Sequence, residues 1–344
     1  SSFDTSKVKN MASMFWNSQA TTLDLSNFDT SNVIDMYAMF YQSEATVLNV
    51  SKFDTSKVTD MSTMFRGSQA TTLDVSSFDT SNVTDMSDMF LGSQAIALNV
   101  SNFDTSKVTN MKGMLSWSKA TTLDISNFDT SKVTNMNAMF RQSSATSLDL
   151  SSFDTSNVTN MSFMFYGTEA TILDVSNFDT SKVTNMSGMF SNSKATTIDV
   201  SKFNTGKVTD MSNMFSAVLA TVIDVSNFNT SKVTDMNNMF NNTKAKVIDV
   251  SNFDTSNVVN MSSMFDKVST ETLNISNFNT SKVTDLGGMF ENSKSITTLN
   301  LSSFDTSNVT SMRYMFNGMT SLKTIYVGDK FTTNKVTDSE NMFN

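Results

Sequence analysis

The chain has 344 residues, and its 33 acidic against 24 basic side chains leave a net charge of −9 and a pI near 4.6. That balance excludes a nucleic-acid binder, which needs a basic surface to neutralise phosphates, and no apolar run approaches the roughly 18 residues of a membrane span. Histidine, cysteine and proline are absent, which removes disulfides, thiolate metal sites and the commonest general base. Only ten glycines occur, so no flexible linker is visible. The pattern opens in mid-unit at Ser1, and the chain reads as a segment of a longer one, in which a missing signal peptide or wall anchor carries no information.

Length alone suggests about two domains, but self-similarity overrides that prior. The phenylalanine of Ser-x-Phe-Asp/Asn-Thr recurs at Phe3, Phe28, Phe53 and onward to Phe278, always 25 residues apart. One extra residue near 295–298 moves the next to Phe304, and a looser terminal unit spans about 321–344. About thirteen units in one repeat domain over 1–344 follow, the signature of a solenoid.

Within a unit, Leu173 and Val175, like Ile223 and Val225, alternate with Asp and Ser, the period-2 pattern of a half-buried strand. Phe178 is expected to fold back inward, and Asp-Thr-Ser to make a turn, since Asp side chains bond nearby amides. Val183, Met186, Met189 and Phe190 fall at i, i+3, i+6 and i+7, one face of a short helix or 3₁₀ segment. A second short strand at Val-Thr-x-Met is the alternative. Each coil then adds a rung about 4.8 Å from the last, giving a rod of roughly 60 Å. One unit has too few apolar side chains to offset the entropy of ordering it, so the fold is collective.

Met-x-x-Met recurs in nearly every unit, and thioethers can ligate Cu(I). The pairs share a face with Val and Phe, however, and Leu286 and Leu115 replace a Met and a Phe without disturbing the period. A core tolerates that and a ligand set does not, so these sulfurs are expected to fill the interior against aromatic rings.

Stacking turns each polar position into a longitudinal column. The outward strand position carries six successive acids, Asp124, Asp149, Asp174, Asp199, Asp224 and Asp249. Like charges at such spacing disfavour ionisation, so raised pKa values and shared protons are expected. The row reads in three ways: as a low-pH-sensitive ligand face, as a Ca²⁺ ladder of hard oxygens, or simply as a soluble, hydrogen-bonded surface. A second acidic column (Asp4, Asp29, Asp54 and onward) is explained by turn formation. Three residues further on, Lys107, Lys132, Lys182, Lys207 and Lys232 belong to a basic column in which Asn alternates. It is expected to partner the acidic turn, or to grip sulfate or sialic acid. Outward Val47, Ile172, Val222 and Val247 form a candidate apolar strip, and Trp16 and Trp117 are candidates for stacking on a sugar or for capping the core.

The units, such as "LDVSNFDTSKVTNMSGMF", resemble the about 25–26-residue repeat of a bacterial surface-protein family. That family is leucine-rich-repeat-like, was first described as a mycoplasma domain of unknown function, and is widespread in lactic acid bacteria. The closing "SLKTIYVGDKFTTNKVTDSENMF" also resembles its final units. Many members carry a Cys shortly after Met-Phe. Here Ser43, Ser68, Ser93, Ser118, Ser143, Thr168 and Ser193 stand there instead, so no thiol-based feature transfers. The resemblance implies a right-handed leucine-rich-like solenoid exported to the cell wall, with adhesion to host mucus, mucin or matrix proteins.

The expectation is therefore a monomeric, non-enzymatic adhesin repeat without cofactors, binding host glycoprotein through multivalent weak contacts of the strand face. Binding is expected to be stronger at pH 4–5 than at pH 7, because repulsion from anionic mucins fades near the pI. A passive stalk displaying another domain is the alternative, and a calcium-binding solenoid the remote one. Catalysis is not expected, since no unique polar cluster interrupts the repeat.

Overall fold

In the structure, a computed structural model describing residues 3–344, the Leu-x-Val alternation yields strands shorter than the pattern suggests. They are β1 (Val47–Leu48), β2 (Thr72–Leu73), β3 (Ile172–Leu173), β4 (Thr197–Ile198), β5 (Thr298–Leu301) and β6 (Thr324–Val327). β1 pairs in parallel with β2, and β5 with β6. Elsewhere the same column is joined by single parallel bridges such as Thr72–Ala97 and Val222–Val247. The strand ends early because Asp pulls the chain into a turn. Asp199 accepts from the Ser201 N–H at 3.0 Å, and the Phe203 N–H closes on the Val200 carbonyl at 3.0 Å.

No helix occurs among the described residues. Where Val183 to Phe190 has helical spacing, the chain instead makes consecutive turns, closed by N–H donation from Met189 to Met186 (3.2 Å), Ser191 to Gly188 (3.1 Å) and Ser193 to Phe190 (3.0 Å). Gly188 and Asn192 take φ of 58° and 56°, the positive value a type II turn needs at its third residue. Such a reversal every four residues prevents a helix from propagating. The intervening donors leave the coil: Met186, Gly188, Phe190 and Asn192 give their N–H groups to Asp210, Ser212, Met214 and Ser216 of the next one. The helical expectation is thus corrected, and its strand alternative survives as one parallel bridge per coil at the Asp or Asn before Met, as in Asn185–Asp210–Asp235.

The chain forms two compact units. One comprises residues up to Val158 with Met164–Asn177; the other comprises Thr159–Phe163 with Phe178–Asn344. Each has the same interior. Val183, Met186, Met189 and Phe190 are fully buried, as are their counterparts Val58, Met61, Met64 and Phe65. The paired methionines are core, as their spacing with Val and Phe indicates, except Met14 in the first coil. The Met-Phe rings stack coil on coil, with Phe40–Phe65 at 5.5 Å and Phe65–Phe90 at 5.7 Å in the first unit. In the second, Phe190–Phe215 and Phe215–Phe240 lie at 5.9 and 5.8 Å. Interplanar angles of 3° to 13° give the offset parallel arrangement aromatic quadrupoles favour. Leu115 interrupts the stack yet is itself fully buried.

Within each unit buried threonines clip successive coils together. Thr205 Oγ1 donates to the Asn229 carbonyl at 3.0 Å and accepts from the Asn229 N–H at 2.8 Å. Thr30 does the same to Asp54. One hydroxyl thereby satisfies both polar groups of a peptide that no strand reaches.

Candidate functional site

All six carboxylates of the outward row, Asp124, Asp149, Asp174, Asp199, Asp224 and Asp249, are exposed, as the alternation requires. Their electrostatics differ from expectation. Asp149, Asp199, Asp224 and Asp249 each accept a hydrogen bond from the side chain and from the backbone N–H of the serine two residues on, and this holds their pKa below the usual carboxylate value. For Asp224, repulsion from Asp199 and Asp249 opposes that effect but is the weaker influence. The predicted rise through like-charge crowding is therefore corrected. An Asx turn stabilises the charged form locally, before neighbours one coil away enter.

Among the described residues no three acidic side chains gather in a group able to hold a metal ion. Shallow grooves do run beside the row. One of about 350 Å3 lies between Ala97–Asn99 and Thr122–Asp124, and another of about 260 Å3 borders Asp199, Val222 and Asp224. Val222 and Val247, 74 % and 71 % exposed, are bridge partners and form an apolar step there. Val47 is exposed too, but its bridge partners are Thr22 and Thr72, so the apolar strip is local and not continuous. Ile96, 60 % exposed, stands in the neighbouring column, where the preceding and following coils carry threonine.

In the basic column, Lys107, Lys132, Lys182, Lys207 and Lys232 are exposed. Three lysines of this column pair directly with the asparagine one coil before. Lys57 donates to Asn32, Lys107 to Asn82 and Lys282 to Asn257, at 2.6 to 2.9 Å. The column also acts on the acidic turn at long range: Lys107 and Lys132 help hold Asp104 low, after its hydrogen bonds to Ser106.

Sequence reasoning misses two charged features. Arg66 bonds Asp88 at 2.8 Å, and burial pushes the Asp88 carboxyl up although Arg66 opposes this. Near the C-terminal end, Arg313 lies 3.8 Å from Asp338 and 3.4 Å from Glu340, beside a recess bordered by Asp285 and Glu291. This cluster interrupts the repeat where the reading of the sequence finds none. The signal was present as Arg313, Tyr314 and Glu340 at positions where most other units carry Ser, Ala, Gly or Asn. Trp16 and Trp117 are each 47 % exposed, so neither is buried as a core cap. Trp16 packs on Tyr41 with ring centres 4.9 Å apart.

Near-identical coils, clipped to one another within each unit by parallel bridges and buried threonines, define a tandem-repeat solenoid. The chain belongs to the family described as "Mycoplasma protein of unknown function, DUF285", whose model matches residues 1–99, 60–172, 141–251 and 241–344. No curated protein matches the sequence. Among solved structures it is similar to the functional domain of InlJ from Listeria monocytogenes, a domain that includes a cysteine ladder, at 17 % identity. That match spans 86 % of this chain and 55 % of the other with a TM-score of 0.21, too low to equate the two backbones. No helix among the described residues is long and apolar enough to cross a membrane.

Proposed function

We propose that this chain is a non-enzymatic, surface-displayed adhesin repeat domain that binds host glycoprotein, mucin or matrix, through its strand face. The observation that carries this reading is the exposed acid at one strand position of successive coils, Asp124, Asp149 and Asp174 in the first unit and Asp199, Asp224 and Asp249 in the second, with shallow grooves and aliphatic steps beside them. Each coil offers a weak, nearly identical contact, and tethering many of them multiplies the affinity. The domain acts as a monomer without a cofactor, outside the cell. Because Asp149, Asp199, Asp224 and Asp249 are held below the usual carboxylate value, their repulsion of anionic mucins persists at pH 4–5, and the gain in binding sets in below about pH 4.

The test is a surface-plasmon measurement of the purified chain on immobilised mucin and on fibrous matrix glycoprotein, at pH 7, 4.5 and 3.5, with and without chelator. Replacing the six aspartates by asparagine is expected to change binding at pH 7 by several-fold, and chelator to change nothing. Failure of the isolated chain to bind either surface would leave a display stalk as its role, and chelator-sensitive binding would restore the calcium reading.

A further inference from the structure

A trough on a different face, at the turns that follow Met-Phe, is confined to the first four coils. Its base is the column Asn17, Gln42, Gly67 and Gly92, all with positive φ of 51° to 68°. At Gly67 and Gly92 no side chain rises from the base. A Cβ on Gly92 would meet nothing nearer than the Gly67 backbone at 3.8 Å, and Gln42 lies across Gly67 with its Cγ 3.0 Å from where a Cβ would stand. Gln19, Glu44 and Gln69 form one bank, and the whole encloses about 410 Å3.

The bank is held in place. Gln19, Gln69 and Gln94 each donate an amide N–H back to the carbonyl two residues earlier, at 3.2, 3.1 and 3.0 Å. This fixes the side chain and leaves its carbonyl oxygen and a second N–H for a ligand. One coil beyond Gly92 the same column holds Trp117, 47 % exposed with φ 57°, so the open base ends at an indole. The adjoining column carries Trp16 and Tyr41, with Arg66 5.6 Å over the Tyr41 ring. Further along, the bank column reads Lys119, Ser144, Glu169, Lys194, Leu219 and Lys244, so the amide set is not a property of the repeat.

We infer that this trough is a binding site for an uncharged oligosaccharide. Primary amides donate and accept at once, as sugar hydroxyls do, and the apolar C–H face of a pyranose stacks on an indole at the end of the row. Glu44 accepts from hydroxyls and repels sialic acid or sulfate. A peptide partner would need apolar anchor pockets, which amides and glycine do not make, and a cation would need more carboxylates than Glu44 alone. The site is distinct from the strand face, so either reading can fail without the other.

The chain has two tryptophans, so Trp16→Phe leaves Trp117 as the sole indole reporter. The full chain carrying Trp16→Phe is titrated with neutral oligosaccharides released from mucin and desialylated, and with their sialylated parents. In parallel, the unmodified chain is applied to an array of neutral glycans. The expected results are a saturable change in Trp117 fluorescence, at least about tenfold weaker binding after Gln42→Ala with Gln69→Ala, and unchanged glycan binding when the six row aspartates become asparagine. These side chains are surface groups, and far-UV circular dichroism with melting temperature verifies folding. Absence of binding to any neutral glycan on the array, or an affinity untouched by the paired glutamine change, overturns the site. Equal or tighter binding of the sialylated sugars overturns its preference for uncharged ones.

Discussion

Along the Met-Met-Phe edge of one coil, Met61, Thr63, Phe65 and Gly67 each give an N–H to the following coil, at 2.7 to 3.2 Å. Along the strand edge, Gln69 and Thr71 reach back to the preceding coil, and the paired strand is two residues long. The edge that reads as a helix therefore carries the denser cross-coil bonding, and the edge that reads as a strand carries little. Cohesion lies with the buried turns, which frees the strand edge to vary its side chains where partners would meet it.

The sharpest way to break this comparison is Phe215→Ala. Its ring lies between Phe190 and Phe240, fully buried, and its loss is expected to cost about 3–5 kcal/mol in urea unfolding, whereas Val222→Thr on the strand edge should be close to neutral. Next, Thr205→Val deletes a clip without changing shape and strands both polar groups of the Asn229 peptide. A loss of about 2 kcal/mol is expected, with hydrogen exchange at Asn229 accelerated. Gly188→Ala pushes a methyl to within 2.5 Å of the Phe163 ring. Its cost of about 1–2 kcal/mol should fall when Phe163→Ala is added, since Ala38 and Ala138 already tolerate the same φ; equal costs in both backgrounds would show backbone strain to be the cause.

Two smaller effects complete the series. Asp54, Asp199 and Asp224 have lowered pKa values in the folded chain, so the stability they contribute is present above the ordinary aspartate value and lost as pH falls below it. The melting temperature should stay level from pH 7 to 5 and drop below about pH 4. Dilute peroxide should oxidise Met14, 45 % exposed, long before the buried pairs such as Met186 and Met189. Peptide mass spectrometry reads the order, and early oxidation of the pairs would contradict a closed interior.

The period, the inward set and the exposed polar columns were legible because side-chain polarity repeats with them. Val183, Met186, Met189 and Phe190 are in the core as their spacing requires. Their local backbone was not legible: the residues at φ > 0 include Ser13, Thr63, Asp88 and Phe163 beside the glycines, so composition does not mark the reversals that replace a helix. Thr205 looked like a turn residue because its burial depends on an adjoining coil. The sign of the Asp199 shift was missed for a related reason. The decisive partner, Ser201, sits two residues away along the chain, whereas the column lines up charges one coil away. The amide trough was invisible since each glutamine is unremarkable until Gly67 and Gly92 align beside it.

The threonine clip has an evolutionary corollary. Thr30 hands Asp54 the same pair of bonds that Asp29 received from Thr5, so removal or duplication of one whole period during replication leaves no mismatched junction. A change in copy number would keep such a seam intact, and reach would become a heritable trait adjustable without inventing a new fold.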